Sequence, residues 1–279
     1  MTEASNRSAG HSLVRRAANN IETALQMLAR SPRERVFELS PFTWEQLGIA
    51  AAAALAIFLF GMIFVDAALT RSAGHLPRSI TWFFEQITDF GLGAWFLWPL
   101  GLLFIVIAAL PMTLPRIPQL VLAALAVRVG FLFVAIGLPG LFASIIKRMI
   151  GRARPLVTGV IDPHLFSPFI WRADYASLPS GHATTAFAVL VAFGTLWPRA
   201  RTALWIYAVL IAISRVVVTA HFMTDVLAGA VVGAVGALMV RRWFALRHLG
   251  FSVRPDGTVR QWPGPSLRRI KAVARGLLS

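Results

Sequence analysis

A chain of 279 residues, 57% of them hydrophobic and only 14% charged, with a mean hydropathy of +0.69, lies outside the soluble class and inside the membrane class. Its net charge of +15 sits in the two ends and one internal loop, broken up by apolar segments, which fits the basic flanks of a membrane protein better than a nucleic-acid-binding surface. Cysteine is absent, so disulfides, zinc–thiolate sites and a thiol nucleophile are excluded.

Residues 1–40 lack the short apolar core of a secretory signal, so the first apolar span is expected to persist as an anchor. Within this segment, residues 13–28 put Leu13, Ala17, Ile21, Ala24, Leu25 and Leu28 on one helical face. That pattern suits a basic amphipathic helix on an anionic membrane surface, or a plain solvated tail helix. About 20 apolar residues cross a bilayer. Six segments qualify, at roughly 47–67, 91–110, 118–146, 182–197, 202–219 and 225–243. The expected architecture is an all-α integral membrane protein of six transmembrane helices. A basic tail, 1–43, precedes the membrane domain, 44–243, and a second basic tail, 244–279, follows it. In that last tail Leu267, Ile270, Val273 and Leu277 share a face beside Arg268, Arg269 and Arg275, again suited to anionic lipid.

Orientation follows Lys and Arg in short flanks. The N-terminal tail carries Arg15, Arg16, Arg30, Arg33 and Arg35. The C-terminal tail carries Arg241, Arg242, Arg247, Arg268, Arg269, Lys271 and Arg275, and the 198–201 connector carries Arg199 and Arg201. Six spans put all three on one side, taken as cytoplasmic, with the loops 68–90, 147–181 and 220–224 outside. The 147–181 loop breaks the rule with Lys147, Arg148, Arg152, Arg154 and Arg172. Either the topology is inverted or this loop has work that needs positive charge; the more numerous tail cations favour the second.

Three stretches carry chemistry. In "KRMIGRARP", Lys147 and Arg154 are seven residues apart, two turns along one helical face, and Pro155 disfavours helix at Arg154. In "PSGH", Pro179 to His182, Ser180 is a good N-cap, Gly181 permits close approach of a ligand, and the helix start favours an anion. In "SRVVVTAHFMTD", His221 and Asp225 are four apart and share a face if the last span starts early enough. A carboxylate there fixes the imidazole tautomer. Arg215 sits near the outer end of the fifth span, where an arginine is costly unless it faces a polar site.

Taken singly, each stretch has an ordinary explanation: a capped helix, flanking cations, a polar connector. Nothing in those explanations requires all three to share one membrane face. Together they supply three cations, a helix N-terminus and two histidines. That set can hold the oxygens of a transferring phosphoryl group, attack phosphorus with one imidazole and protonate the leaving oxygen with the other. No carboxylate cluster offers a seat for magnesium or calcium.

The pattern K-x6-RP, PSGH, SR-x5-H-x3-D resembles the type 2 phosphatidic acid phosphatase superfamily, which also includes vanadium haloperoxidases. Here it reads Lys147…Arg154-Pro155, Pro179-Ser180-Gly181-His182 and Ser214-Arg215…His221…Asp225. The resemblance implies a helical, metal-independent phosphatase without cofactors. It implies His221 as the nucleophile, Asp225 as its orienting partner, and His182 as the acid for the leaving group and later the base for water. It also implies Lys147, Arg154, Arg215, Ser180 and the Gly181 N–H as phosphate ligands. Membrane members act on lipid phosphates and diphosphates: phosphatidate, phosphatidylglycerol phosphate, undecaprenyl diphosphate or lipid A phosphates. An outward site suits a headgroup at the periplasmic surface of a bacterial inner membrane. The rivals are a vanadate-dependent peroxidase, which would use the same cradle, and a non-enzymatic lipid transporter or binding protein.

The 156–178 loop is long for a structureless connection, which suggests a lid or headgroup contact. Phe166, Phe169, Ile170 and Trp171 are placed to dip into the interface, or simply to rest on it. Arg128, inside the third span, reads as a snorkelling cation, with pairing to a partner or a lipid phosphate as the alternative. His164 reads as a surface histidine, and Asp66, His75 and Asp89 as outer-face residues within reach of a headgroup.

Overall fold

A computed structural model describes residues 15, 18–23, 26, 29, 31–32, 43–110 and 114–278. Of the amphipathic face expected over 13–28, only Ile21 falls among these; residues 18–23 around it are helical, and the rest of that face lies outside the described residues.

The described helices are α1 Trp44–Phe60, α2 Asp66–Gly74, α3 Arg78–Thr88, α4 Ala94–Ala109, α5 Arg116–Ile150, α6 Gly181–Leu196, α7 Arg201–Val217, α8 Met223–Leu246 and α9 Leu267–Leu278. Five stretches are long and apolar enough to cross a membrane: Trp44–Gly74, Arg78–Ala109, Arg116–Ile150, Pro198–Val217 and Met223–Leu246. The sixth expected span is the shorter apolar helix α6. A loop was expected at 68–90, and it is instead mostly helical. α1 runs through a π turn at Gly61–Val65 into α2, and α3 continues toward α4. The 71–88 stretch is polar enough to hide its helices from an apolar-length count, but its backbone bonds are satisfied internally wherever the chain stays helical.

α1 starts at a capping box: Thr43 Oγ1 accepts from Gln46 N at 3.1 Å, and Gln46 Oε1 accepts from Thr43 N at 3.0 Å. No residue of α1 is buried, although the helix is almost wholly apolar. That is the signature of a face solvated by lipid rather than water.

Contacts divide the chain into two units, one from Ser40–Leu97 and Val134–Val240, the other from the N-terminal residues, Trp98–Phe133 and Arg241–Ser279. In the first, Ala186, Leu190, Ala208 and Ile211 form a core between α6 and α7, with Phe187, Leu204 and Tyr207 packed on it. Small residues let α8 come in close. A Cβ at Gly233 would stand 2.1 Å from the Thr184 carbonyl oxygen, and one at Gly236 would stand 2.7 Å from Pro139 Cγ. Backbones that approach this far need glycine.

In the second unit, Phe131 packs against Phe244 and Phe251. Phe251 opens a small antiparallel hairpin, β1 Phe251–Val253 with β2 Val259–Gln261, the only strands among the described residues. Arg128 donates to the Ala124 carbonyl at 2.8 Å and to the Trp262 carbonyl at 2.9 Å. It ties the segment after the hairpin to α5 rather than snorkelling. The basic amphipathic helix expected at 266–277 is α9.

Candidate active site

All eight residues singled out in the sequence lie in the first unit. The cations come first. α5 ends at Ile150, earlier than the Arg154 boundary read from Pro155. Gly151 stops it with φ +64°, and a Cβ there would fall 1.8 Å from the Ser167 carbonyl oxygen. A left-handed glycine closing a helix explains the early end. Lys147 is therefore on the last helical turn, while Arg154 is reached through an extended stretch. That stretch is pinned by Ala153 N to Leu165 O (2.9 Å), Arg154 N to Asp174 O (2.7 Å) and Ser177 N to Arg152 O (3.1 Å). The loop after Pro155 is held by such bonds and a short 3-10 turn at Ala173–Tyr175 rather than left structureless.

Phe169 and Trp171 stand on that loop, 70% and 80% exposed. With Ser144, Ile145, Arg148 and Met149 they line a groove of about 280 Å³ at the end of α5. The Arg148 guanidinium sits 4.9 Å over the Trp171 ring.

The PSGH turn opens α6. Ser180 occupies the N-cap position, but its side chain makes no capping bond; its Oγ is buried without a partner. The turn is fixed through the backbone instead. Ser180 N donates to the Asp225 carbonyl at 2.9 Å, and the Ser180 carbonyl accepts from Thr184 N and Thr184 Oγ1. The first N–H groups of α6 are thus left to point outward from the helix end. A Cβ on Gly181 would stand 3.4 Å from Lys147 Nζ, which puts the ammonium over this turn. A Cβ on Gly229 of α8 would lie 2.4 Å from the Ser180 carbonyl oxygen. Gly229→Ala is expected to displace the turn and lower kcat about 100-fold, the cost of misplacing a reacting group by a fraction of its bond reach. The check is turnover of solubilised protein whose helicity is unchanged by circular dichroism; an unaltered kcat would show that the turn has room to spare.

Arg215, 7% exposed, donates to Thr88 Oγ1 at 2.6 Å, and Ser214 Oγ donates to the same hydroxyl at 2.9 Å. Its Nε is buried without a partner, as is Nε of Arg154. Lys147, Arg154, Arg215 and His221 all act electrostatically on His182. His182 in turn packs beside Gly91, where a Cβ would come within 2.9 Å of its ring. The result is a pocket of cations and unpartnered donors around one histidine. Among the described residues no cluster of three or more His, Cys, Asp or Glu side chains is arranged to hold a metal.

His221 and Asp225 meet, but not as two residues of one helix. α8 begins at Met223, so His221 stands in the turn before it. Asp225 reaches back to accept from Phe222 N at 3.0 Å, capping the helix that carries it. The Asp225 Oδ2 to His221 Nδ1 distance is 3.7 Å, too long for a hydrogen bond. Ser177, absent from the sequence reading, bridges the gap. Its Oγ donates to Asp225 Oδ2 at 2.6 Å and lies 3.2 Å from His221 Nδ1. A hydroxyl has one proton, and the carboxylate takes it. Nδ1 must therefore donate to Ser177, which leaves Nε2 with a free lone pair. Burial pushes the His221 imidazole down to about 4, with Arg215 and Arg154 acting in the same direction and Asp225 opposing. At neutral pH the ring is uncharged.

Two further residues were given no role in the site by the sequence. Arg152, read as one of the outer-loop cations, is fully buried. Asp66, read as an outer-face residue within reach of a headgroup, is also fully buried and pairs with Arg152 at 2.7 Å. A carboxylate inside an apolar span was the signal available for it.

Comparisons with known proteins find relatives of the chain. A family model described as "PAP2 superfamily" matches residues 128–249. A lipid A 1-phosphatase of Rhizobium johnstonii is 34% identical over 206 residues, 74% of this chain and 82% of the relative. A lipid A 1-phosphatase of Rhizobium etli is 33% identical over 226 residues, 81% of this chain and 94% of the relative. Two solved structures also align. LpxE of Aquifex aeolicus has 22% identity and a TM-score of 0.46, over 64% of this chain and 95% of that one. The PAP2-type phosphatidylglycerolphosphate phosphatase of Bacillus subtilis has 20% identity and a TM-score of 0.45, over 69% and 94%.

Proposed function

We propose, from the premise that this chain belongs to the PAP2 superfamily and is a membrane lipid phosphatase, that its substrate is the 1-phosphate of lipid A and that catalysis runs through a phosphohistidine without a metal. The observation that carries the chemistry is that three of the five buried side-chain donors without a partner among the described residues, Arg154 Nε, Ser180 Oγ and Arg215 Nε, belong to the unit that holds Lys147 and the start of α6. Burying polar groups unpaired is costly unless a ligand satisfies them, and a phosphoryl group presents acceptor oxygens alone. The two curated relatives favour lipid A among lipid phosphates.

In this reading Lys147, Arg154, Arg215, Ser180 and the Gly181 N–H hold the phosphoryl oxygens as negative charge shifts onto them. His221 Nε2 attacks phosphorus as the bond to the lipid oxygen breaks. His182 gives that oxygen a proton, then takes one from the water that splits the P–N bond and releases phosphate. Asp225, through Ser177, keeps Nδ1 protonated and offsets the charge that His221 acquires.

The arginine-rich N- and C-terminal segments favour a bacterial inner membrane with both ends cytoplasmic and the site facing the periplasm. The basic face of α9, with Arg268, Arg269, Lys271 and Arg275, suits anionic lipid on the cytoplasmic side.

Phosphate release by solubilised protein in EDTA, from lipid A, phosphatidylglycerol phosphate, undecaprenyl diphosphate and phosphatidate, tests the proposal. The 1-phosphate of lipid A is expected to turn over fastest. A different leader removes the substrate assignment and leaves the phosphatase; full dependence on added metal removes the mechanism.

A further inference from the structure

The cradle does not account for Arg152. Its guanidinium is fully buried, and each of its three nitrogens donates inside the protein. Nε donates to the Pro163 carbonyl at 3.0 Å. Nη1 donates to Thr224 Oγ1 at 2.7 Å and to Asp225 Oδ1 at 2.6 Å, and Nη2 donates to Asp66 Oδ2 at 2.7 Å. Asp66 also accepts from Thr224 N at 3.0 Å and from the Thr224 hydroxyl. One cation thus sits between two carboxylates, and only one of these, Asp225, belongs to the catalytic pair.

Asp66 is brought there by a specific device. The π turn Gly61–Val65 immediately precedes it, and a Cβ on Gly61 would stand 2.8 Å from Thr224 Cγ2. π turns inside helices mark functional sites more often than chance. An acidic group in an apolar span is costly unless it pairs with a purpose.

The consequence falls on Asp225. Arg152 holds Oδ1; Ser177 and the Phe222 N–H hold Oδ2. Three donors hold the carboxylate, and His221 Nδ1 stands 3.7 Å off instead of bonding it directly. The other titratable and charged groups that act on His221 are Arg154 from beyond α5, His182 of α6 and Arg215 of α7, the last balanced in part by Asp89, while Lys147 at the end of α5 acts on Asp225.

We propose that Arg152 and Asp66 are positioning residues for the catalytic pair: Arg152 holds the Asp225 carboxylate and weakens its pull on a proton at His221, while Asp66 sets how strongly Arg152 does so. This deepens the reading of His221 as nucleophile and rests on it. A guanidinium at Oδ1 weakens the pull of the carboxylate on an imidazolium. Removing the Asp66 charge alone leaves more of the Arg152 charge acting on Asp225, which disfavours the imidazolium further. Removing both charges leaves Asp225 unopposed and favours it.

The test is imidazole ¹⁵N titration of the full-length, solubilised protein labelled in histidine, with His221 identified by the signal lost in His221→Asn. Asp66→Asn is expected to move the His221 titration to lower pH. The shape-conserving double variant Asp66→Asn/Arg152→Gln is expected to move it up by about one pH unit or more, a tenfold or larger change in proton affinity. The acid limb of its rate profile moves up with it, while kcat at pH 7, where the ring is uncharged in both forms, is little changed. A folded double variant with an unmoved titration overturns the proposal, as does an upward shift in Asp66→Asn; the single variant decides alone if the double variant does not fold. If the titrations move as stated while the rate profile stays put, the clamp stands and His221 is not the nucleophile.

Discussion

His221→Ala is expected to reduce phosphate release in EDTA by about 10⁴-fold or more, because it removes the group proposed to form the covalent intermediate. The loss should appear in kcat, with KM for the lipid little changed, since the proposed phosphate ligands Lys147, Arg154 and Arg215 remain. His221 touches Ser177 and, through its backbone N–H, the Arg215 carbonyl at 3.2 Å. The backbone bond survives the substitution, so the variant should remain folded. Wild-type enzyme mixed with ³²P-labelled substrate and quenched in alkaline detergent should carry label that is stable in base and lost on acid treatment, as a phosphoramidate is. A folded His221→Ala enzyme that retains turnover, or a wild type that never carries label, removes the nucleophile assignment.

Arg154→Ala is expected to lower kcat/KM by about 10²–10³-fold, the range for deleting one donor aimed at developing charge in a water-poor site. Two features single out Arg154 among the cations. Its Nε is buried without a protein partner, and its backbone is pinned to Asp174, so the side chain enters the pocket from a fixed point. Arg154→Lys should recover only part of the loss, because an ammonium keeps the charge but not the planar fork that meets two oxygens at once. Steady-state kinetics on both variants with the best lipid of the panel provide the check. Equal activity of Arg154→Ala and wild type would mean that this guanidinium faces something other than phosphate.

The two predictions draw on different levels of information. Six apolar segments and their order were legible because membrane spans announce themselves by length and composition alone. The residues of the candidate site were legible because three short runs each keep a fixed internal spacing. The helical detail within those runs was not. Pro155 marked a helix end near Arg154, but Gly151, by adopting φ +64°, ended α5 sooner. Ser180 had the composition of a cap, yet the Thr184 hydroxyl and the Asp225 carbonyl secure the turn, and the serine oxygen stays unpartnered. Helices over 66–88 escaped notice because their polar residues interrupt the apolar count on which a span is recognised.

By itself, then, the sequence determined the class of molecule, the approximate spans and the identity of the chemical groups, since composition, periodicity and motif spacing are local properties of a chain. Only the tertiary structure decided how those groups are held. Arg152 pairs with Asp66 across 86 positions and with Asp225 across 73. Ser177 enters between His221 and Asp225 from a different loop. A buried ion pair exists only where packing excludes water and brings the second charge within hydrogen-bond distance, and that depends on how α2, α8 and the stretch that follows α5 pack rather than on any one run of sequence.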